Sequence, residues 1–246
     1  MNLVWALAAS VIVSIISLIG IFTLLFNEKL LSKILILLVS FGAGGLIGGA
    51  FLHLLPEAIE HVKEINLVFI YTVLGFVSFF ALERFLHWRH CHKGVCDIHI
   101  FTYLNLFGDG IHNFIDGIII GTSFVIDIKL GLVATTAVIL HEIPQELGDF
   151  GILLYGGFSR SKALFYNFLS ATTAIFGTLL GYYFAQHVRF FTGLLLPIAA
   201  GGFIYIASCD LIPEIHKQLA VKNATFSVLS FIAGILLMFW LKLIQG

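Results

Sequence analysis

Two hydrophobic stretches of this chain carry dense sets of metal-ligand side chains at helical spacing. Asp109, His112, Asn113 and Asp116 sit at offsets of three, four and seven, and Asn105 extends the row one turn back. Those offsets fall on one face of an α-helix. His141, Glu142, Gln145, Glu146 and Asp149 form a second row covering one side of another helix. Neither Lys93–Lys129 nor Lys129–Arg160 encloses a further lysine or arginine to pair with these acids. In a bilayer each such carboxylate costs about 2.5–3.5 kcal/mol on insertion scales. Protonation neutralises some, because desolvation favours the uncharged acid. Two imidazoles on the same faces point instead to a shared cation. Imidazole nitrogen, carboxylate and amide oxygen together suit a borderline divalent ion, Zn²⁺ first, then Fe²⁺ or Mn²⁺.

The elements that hold these rows are read from composition. The chain has 246 residues, 59% hydrophobic and 11% charged. Soluble domains carry about 25% charged residues, so this chain lacks the polar surface to coat a water-facing globule. It reads as an all-α polytopic membrane protein. A net charge of −1 gives no sign of nucleic-acid binding, and three cysteines make no disulfide framework. Leu3 to Phe26 is apolar without a basic leader or cleavage site, so it is expected to be a first span rather than a signal. No soluble domain is expected on either side.

A span needs about 20 apolar residues. Breaking the chain at charged and turn-rich points predicts eight helices, at 2–26, 31–60, 66–88, 100–125, 129–156, 161–187, 190–217 and 224–244. Nine basic residues group with the odd-numbered connections and four with the even ones and the C-terminus. Basic residues concentrate on the cytoplasmic side, which places both termini outside. The sequon Asn223-Ala224-Thr225 then faces the cytoplasm and is read as chance.

Segments two and seven share a pattern. Ala43-Gly44-Gly45 precedes His53-Leu54-Leu55-Pro56-Glu57, and Ala200-Gly201-Gly202 precedes Asp210-Leu211-Ile212-Pro213-Glu214, every matched pair 157 positions apart. Inverted repeats with interrupted helices are a transporter signature. Pro144, Pro56 and Pro213 each remove a helical donor and are expected to kink their helices, freeing carbonyls near the ligands. His53/Glu57, His112/Asp116, His141/Gln145 and Asp210/Glu214 repeat one i, i+4 arrangement. Gly44/Gly48 and Gly45/Gly49 have GxxxG spacing, expected to serve packing within the chain more than dimerisation.

His112-Asn113-Phe114-Ile115-Asp116-Gly117 and His141-Glu142-Ile143-Pro144-Gln145-Glu146-Leu147-Gly148-Asp149 resemble the signatures of the ZIP (Zrt-, Irt-like protein) metal transporters. Eight spans with both termini outside are similar to that family too, so the resemblance covers essentially the whole chain. It implies one transport domain over 1–246 that takes up zinc toward the cytoplasm through a two-metal site, with no organic cofactor. By position, the resemblance puts His112, Asp116, His141 and Gln145 at one metal position. It puts Asn113, Asp116, Glu142 and Gln145 at its neighbour. It also implies homodimers. Two positions depart from the pattern. Gln145 stands where the branch with the longer motif commonly has histidine, so the motif does not fix Zn²⁺ over Fe²⁺, Mn²⁺ or Cd²⁺. Some relatives have a carboxylate in helix six, and 161–187 has none.

Further ligands are read as pathway candidates: His53, Glu57, Asp109, Glu146, Asp149, Asp210 and Glu214. The short loop 89–99 adds His90, Cys91, His92, Cys96 and His99 at the cytoplasmic mouth, where they either collect metal or anchor helix ends. The competing functions are a proton- or cation-coupled carrier of small solutes and an intramembrane metalloprotease. The second needs another histidine at position 145 to complete HExxH. A bacterial-type plasma membrane is the expected location.

Overall fold

The computed structural model describes residues 2–25, 28–62, 64–90, 99–185, 188–217 and 221–245, and these are almost wholly helical. Helix α1 spans Asn2–Ile16 and tightens into a 3-10 stretch over Ser17–Leu25. Ser14 and Ser17 donate their hydroxyls back to the carbonyls of Ser10 and Ser14, which competes with the regular ladder where the pitch changes. Then come α2 (Glu28–Gly48), a π-helical segment (Gly49–Leu54) and α3 (Leu55–His61). Helices α4 (Ile65–His90), α5 (Ile100–Ile126) and α6 (Ile128–Tyr155) come next. Beyond them lie α7 (Arg160–Ala171) and α8 (Thr173–Tyr183). Helix α9 (Val188–Tyr205) leads through a second π-helical segment (Ile206–Leu211) into α10 (Ile212–His216), and α11 (Val221–Gln245) ends the described chain.

Among the described residues, six stretches are long and apolar enough to cross a membrane: Asn2–Phe22, Ile34–Glu60, Ile65–Phe85, Arg160–Tyr183, Gly193–His216 and Ala224–Ile244. Helices α5 and α6, at 27 and 28 residues, match them in length but carry the polar rows. The distribution is polar inside and apolar outside. Asn105, Asp109, His112, Asp116, Glu142 and Glu146 are buried, while Val73, Phe176 and Leu243 are 62%, 66% and 65% exposed. Water would reverse that arrangement. Hydrocarbon favours it.

Three local expectations are refined by the structure. Within the run 161–187 the helix is interrupted: α7 stops at Ala171 and α8 starts at Thr173. Thr172 and Thr173 donate back to the carbonyls of Leu169 and Ser170, and Thr173 Oγ1 also reaches the Gly110 carbonyl of α5 at 2.7 Å. Pro144 lies inside α6, which continues as one helix through it. Pro56 and Pro213 instead stand just after the two π-helical segments. A proline ring crowds the carbonyl four residues back, and a widened turn relieves that contact. The Leu55 N–H accordingly reaches back five residues to Ala50, and Ile212 does the same to Ala207.

The two π-helical segments begin at residues 49 and 206, again 157 positions apart. The close helix crossings obey the same shift. A Cβ on Gly44 would sit 2.0 Å from the Phe231 carbonyl oxygen of α11, and one on Gly201 would sit 2.1 Å from that of Thr72 in α4. Gly44 therefore packs within the chain. Replacing Gly201 with valine forces α4 and α9 apart and is expected to cost about 1–3 kcal/mol. Thermal unfolding of the detergent-solubilised protein should show a clearly lowered melting temperature; an unchanged one would mean that these helices do not touch.

Candidate metal centre

The site is built by α5 and α6 running antiparallel. At one end the His99 N–H donates to the Gly156 carbonyl at 2.9 Å. From there each step forward along α5 meets a step backward along α6. Asn105 Nδ2 donates to Asp149 Oδ1 at 3.0 Å. Next, Gln145 Nε2 lies 3.0 Å from His112 Nδ1, and Glu142 Oε1 lies 3.2 Å from the same nitrogen. Last, His141 Nε2 lies 3.1 Å from Asp116 Oδ2. A helical repeat of 3.6 residues keeps positions three and four apart on one face, so both rows stay engaged over several turns.

Four of these residues converge. His112, Asp116, His141 and Glu142 each offer one ligand atom, all within 4.8 Å of one another. None is more than 2% exposed. The contacts from His112 Nδ1 to Asp116 Oδ2 and Glu142 Oε1 are 3.7 and 3.2 Å, and those from His141 Nε2 are 3.1 and 3.9 Å. A tetrahedral ion with bonds of about 2.1 Å separates its ligands by about 3.4 Å, so the observed spacings bracket that requirement. The two Glu142 oxygens accept no oriented hydrogen bond. Glu142 Oε1 thus stands beside both imidazoles without an oriented hydrogen bond to either. Two neutral imidazoles and two carboxylates together balance one divalent cation.

His53 joins this group from the first π-helical segment. Its ring centroid is 4.5 Å from that of His141, and His53, His112 and His141 also offer ligand atoms within 4.8 Å of one another. Glu57 lies one turn on, 3.9 Å from His53 Nε2. The extra residue in a π turn rotates the rest of the helix about its axis, which sets how His53 faces the centre.

Other candidates lie elsewhere. Asn113 is buried but turned toward Asp109, donating to its Oδ1 at 2.9 Å. Asp109, Glu146 and Asp149 form a separate group. Glu214 accepts from the Tyr155 hydroxyl at 3.0 Å and pairs with Lys217. Asp210 is only half-buried, and among the described residues neither it nor Glu214 belongs to a potential metal group. Cys91, His92 and Cys96, with the side chain of His90, lie outside the described residues; His99 is exposed. Two residues escaped the sequence reading. Asn167 of α7 donates to Glu146 Oε2 and to the Ser17 carbonyl, and Glu83 of α4 accepts from the Tyr205 hydroxyl. An expectation of acids in the span 161–187 leaves Asn167 out, although an amide in an apolar span is itself a signal.

A helical chain with an apolar exterior and a buried centre of imidazoles and carboxylates is an integral membrane protein equipped to hold a metal ion. The sequence matches the ZIP zinc transporter family over residues 3–97 and 89–242. It is 36% identical over 220 residues to zinc transporter ZIP13 of Pongo abelii, covering 82% of this chain and 65% of that protein. It is 32% identical over 254 residues to ZIP13 of Mus musculus, covering 84% and 69%. To zinc transporter YKE4 of Saccharomyces cerevisiae it is 33% identical over 214 residues, covering 75% and 62%. The chain spans about two thirds of the length of these relatives. It belongs to the ZIP zinc transporter family.

The Asn167–Glu146 hydrogen bond supplies a testable consequence. Asn167→Ala leaves a fully buried carboxylate without that donor and is expected to cost about 1–3 kcal/mol. Asn167→Gln should recover part of the loss. Denaturation in detergent measures both, and equal melting of all three proteins would exclude this role.

Proposed function

We propose that this chain carries divalent metal ions across a membrane, zinc foremost, through the His112/Asp116/His141/Glu142 centre. Fe²⁺, Mn²⁺ and Cd²⁺ are the alternative cargoes. The observation that carries the reading is the convergence of four buried ligands between two long helices in a ZIP-family chain. Gln145 completes the centre beside His112, and Asn113 serves a neighbouring position when its amide turns from Asp109. His53 and Glu57 form the approach to the centre. Asp210 and Glu214 occupy equivalent positions in the second repeat.

In this proposal α5 and α6 also span the bilayer, giving eight crossings with both termini outside and metal moving toward the loop at 89–99. An inverted repeat relates the first three spans to the last three. The shift of 157 positions supports it in three places: the π-helical segments, Gly44/Gly201, and Ser14 with Ala171. Ser14 Oγ donates to the Ala171 carbonyl at 2.8 Å, and equivalent residues touch each other where two halves meet across their relating axis. A homodimer in a bacterial-type plasma membrane, with no organic cofactor, is the assembly proposed. Transport is favoured over peptide hydrolysis because Gln145 holds the place of the second HExxH histidine and engages His112. The competing carrier of small solutes gives no role to paired imidazoles.

Zinc flux into liposomes holding the purified protein tests the reading. Asp116→Ala and His141→Ala should each lower flux by about tenfold or more, since even changes outside the ligand set cost about 10–100-fold in affinity. Liposomes that remain metal-tight with the unaltered protein would refute it. Metal binds deprotonated imidazole and carboxylate, so protons compete with it. Flux should therefore fall as pH drops from about 7.5 to about 5.5, across the histidine range. A flat profile in a fluorescent zinc assay would mean that these ligands do not limit the rate.

A further inference from the structure

A second cluster lies along the same pair of helices, nearer the His99–Gly156 end. Asp109, Glu146 and Asp149 each offer a carboxylate oxygen, all within 4.8 Å of one another, and none is more than 2% exposed. Asp109 is seven residues from Asp116, about 10 Å along α5. The cluster's nearest members stand about one turn from the imidazole centre, Asp109 three residues before His112 and Glu146 four after Glu142, and the two groups share no residue.

Three amides are docked on these acids by their nitrogens. Asn113 donates to Asp109 Oδ1 at 2.9 Å, Asn105 to Asp149 Oδ1 at 3.0 Å, and Asn167 to Glu146 Oε2. These bonds fix how the amides point, because a flipped amide would set its oxygen against a carboxylate oxygen. The other atom of every pair is unsatisfied. Among the described residues, Asp109 Oδ2, Glu146 Oε1 and Asp149 Oδ2 accept no oriented hydrogen bond, and neither do the Oδ1 atoms of Asn105, Asn113 and Asn167. The three asparagines are 2%, 0% and 0% exposed, so water does not supply the missing donors at the surface. Six buried acceptors therefore lie on these acids and on the amides bonded to them, each costing about 1–3 kcal/mol while unpaired.

The chemistry of the set is uniform. It contains no imidazole and no thiolate. Oxygen ligands in numbers of six to eight suit hard divalent cations, whereas nitrogen and sulfur draw Zn²⁺. We propose that Asp109, Glu146 and Asp149, bordered by Asn105, Asn113 and Asn167, form an oxygen-only site that binds a hard divalent cation of the Mn²⁺, Mg²⁺ or Ca²⁺ class. The ion ties α5, α6 and α7 together beside the imidazole centre. Binding here does not depend on the transport reading, because the cluster can hold an ion in a chain that moves none.

The test uses full-length protein in detergent with His112→Ala and His141→Ala, which remove the imidazoles but leave this cluster intact. Mn²⁺ is added, and the loss of its free-ion electron paramagnetic resonance signal counts bound ions. One Mn²⁺ per chain is expected, displaced by Ca²⁺ or Mg²⁺ more readily than by Zn²⁺. Adding Glu146→Gln and Asp149→Asn, which keep side-chain shape, should weaken Mn²⁺ by at least about 10–100-fold. Should the imidazole-free protein not fold, the same two amide substitutions in the otherwise unaltered chain must remove one Mn²⁺ from the count. No Mn²⁺ retained without the imidazoles, or retention unchanged by the amide substitutions, overturns the proposal. The first result would mean that protons shared among the three acids satisfy the cluster. Zinc flux in liposomes is scored separately, so a failed transport reading leaves this outcome legible.

Discussion

Acidic side chains in a hydrocarbon-facing chain must find positive charge or hydrogen-bond donors inside the protein, and the arrangement of α5 and α6 answers that constraint. Five carboxylates are buried on these two helices, and the sequence between Lys93 and Arg160 offers only Lys129 as a basic side chain. The antiparallel register lets Asp116, Glu142 and Asp149 meet an imidazole or an amide from the opposite helix, while Asn167 of α7 serves Glu146 and Asn113 of α5 itself serves Asp109. The apolar helices around them then keep water away, which strengthens every interaction within and raises the cost of any that is missing. Removing a single partner leaves a stranded charge. The polar interior is consequently a connected set, and its members cannot be changed one at a time without consequence.

Helix irregularities place the remaining ligands. A straight α2 would hold His53 and Pro56 in one regular ladder. The π-helical segment widens that ladder ahead of the proline and leaves the His53 ring tilted against His141. The equivalent segment before Pro213 has no histidine, and its Asp210 stands apart from the centre. One backbone device thus serves a ligand in one half of the chain and only shapes the helix in the other. The break at Thr172 acts similarly on α7 and α8, pinning both to α5 through Thr173 and Gly110. Small residues complete the packing: a Cβ on Gly117 would meet the Ala174 carbonyl at 2.0 Å, so α5 and α8 approach almost backbone to backbone.

Much of this was legible in the residues because helical periodicity is a local property. The row Asp109–His112–Asn113–Asp116 shares a face in any α-helix, and its burial is a result of its cost in lipid. Contacts between rows were less accessible. Nothing in the spacing of Asn113 says whether it faces the imidazoles or Asp109, and its amide turns one turn back along α5 to Asp109. Asn167 lies in the span where a carboxylate is the expected ligand, while the need there is a donor for Glu146. The three prolines were read alike, yet two stand after widened turns and Pro144 does not. Position in the sequence marks the missing N–H. The neighbouring packing determines whether the helix widens or continues.

Gln145 shows how a single neutral side chain shapes the whole centre. Its amide nitrogen lies 3.0 Å from His112 Nδ1, the same atom that stands 3.2 Å from Glu142 and 3.7 Å from Asp116. That ring nitrogen cannot both accept from the amide and donate to the acids, so its tautomer and the amide orientation are tied together. A cation among these atoms resolves the conflict by serving as the shared positive partner, freeing the nitrogen to act as a ligand. A histidine at position 145 would add a third strong nitrogen donor and hold the ion more firmly. An amide contributes orientation without that basicity. In a protein that must release what it binds, ligands of limited strength are the consistent choice.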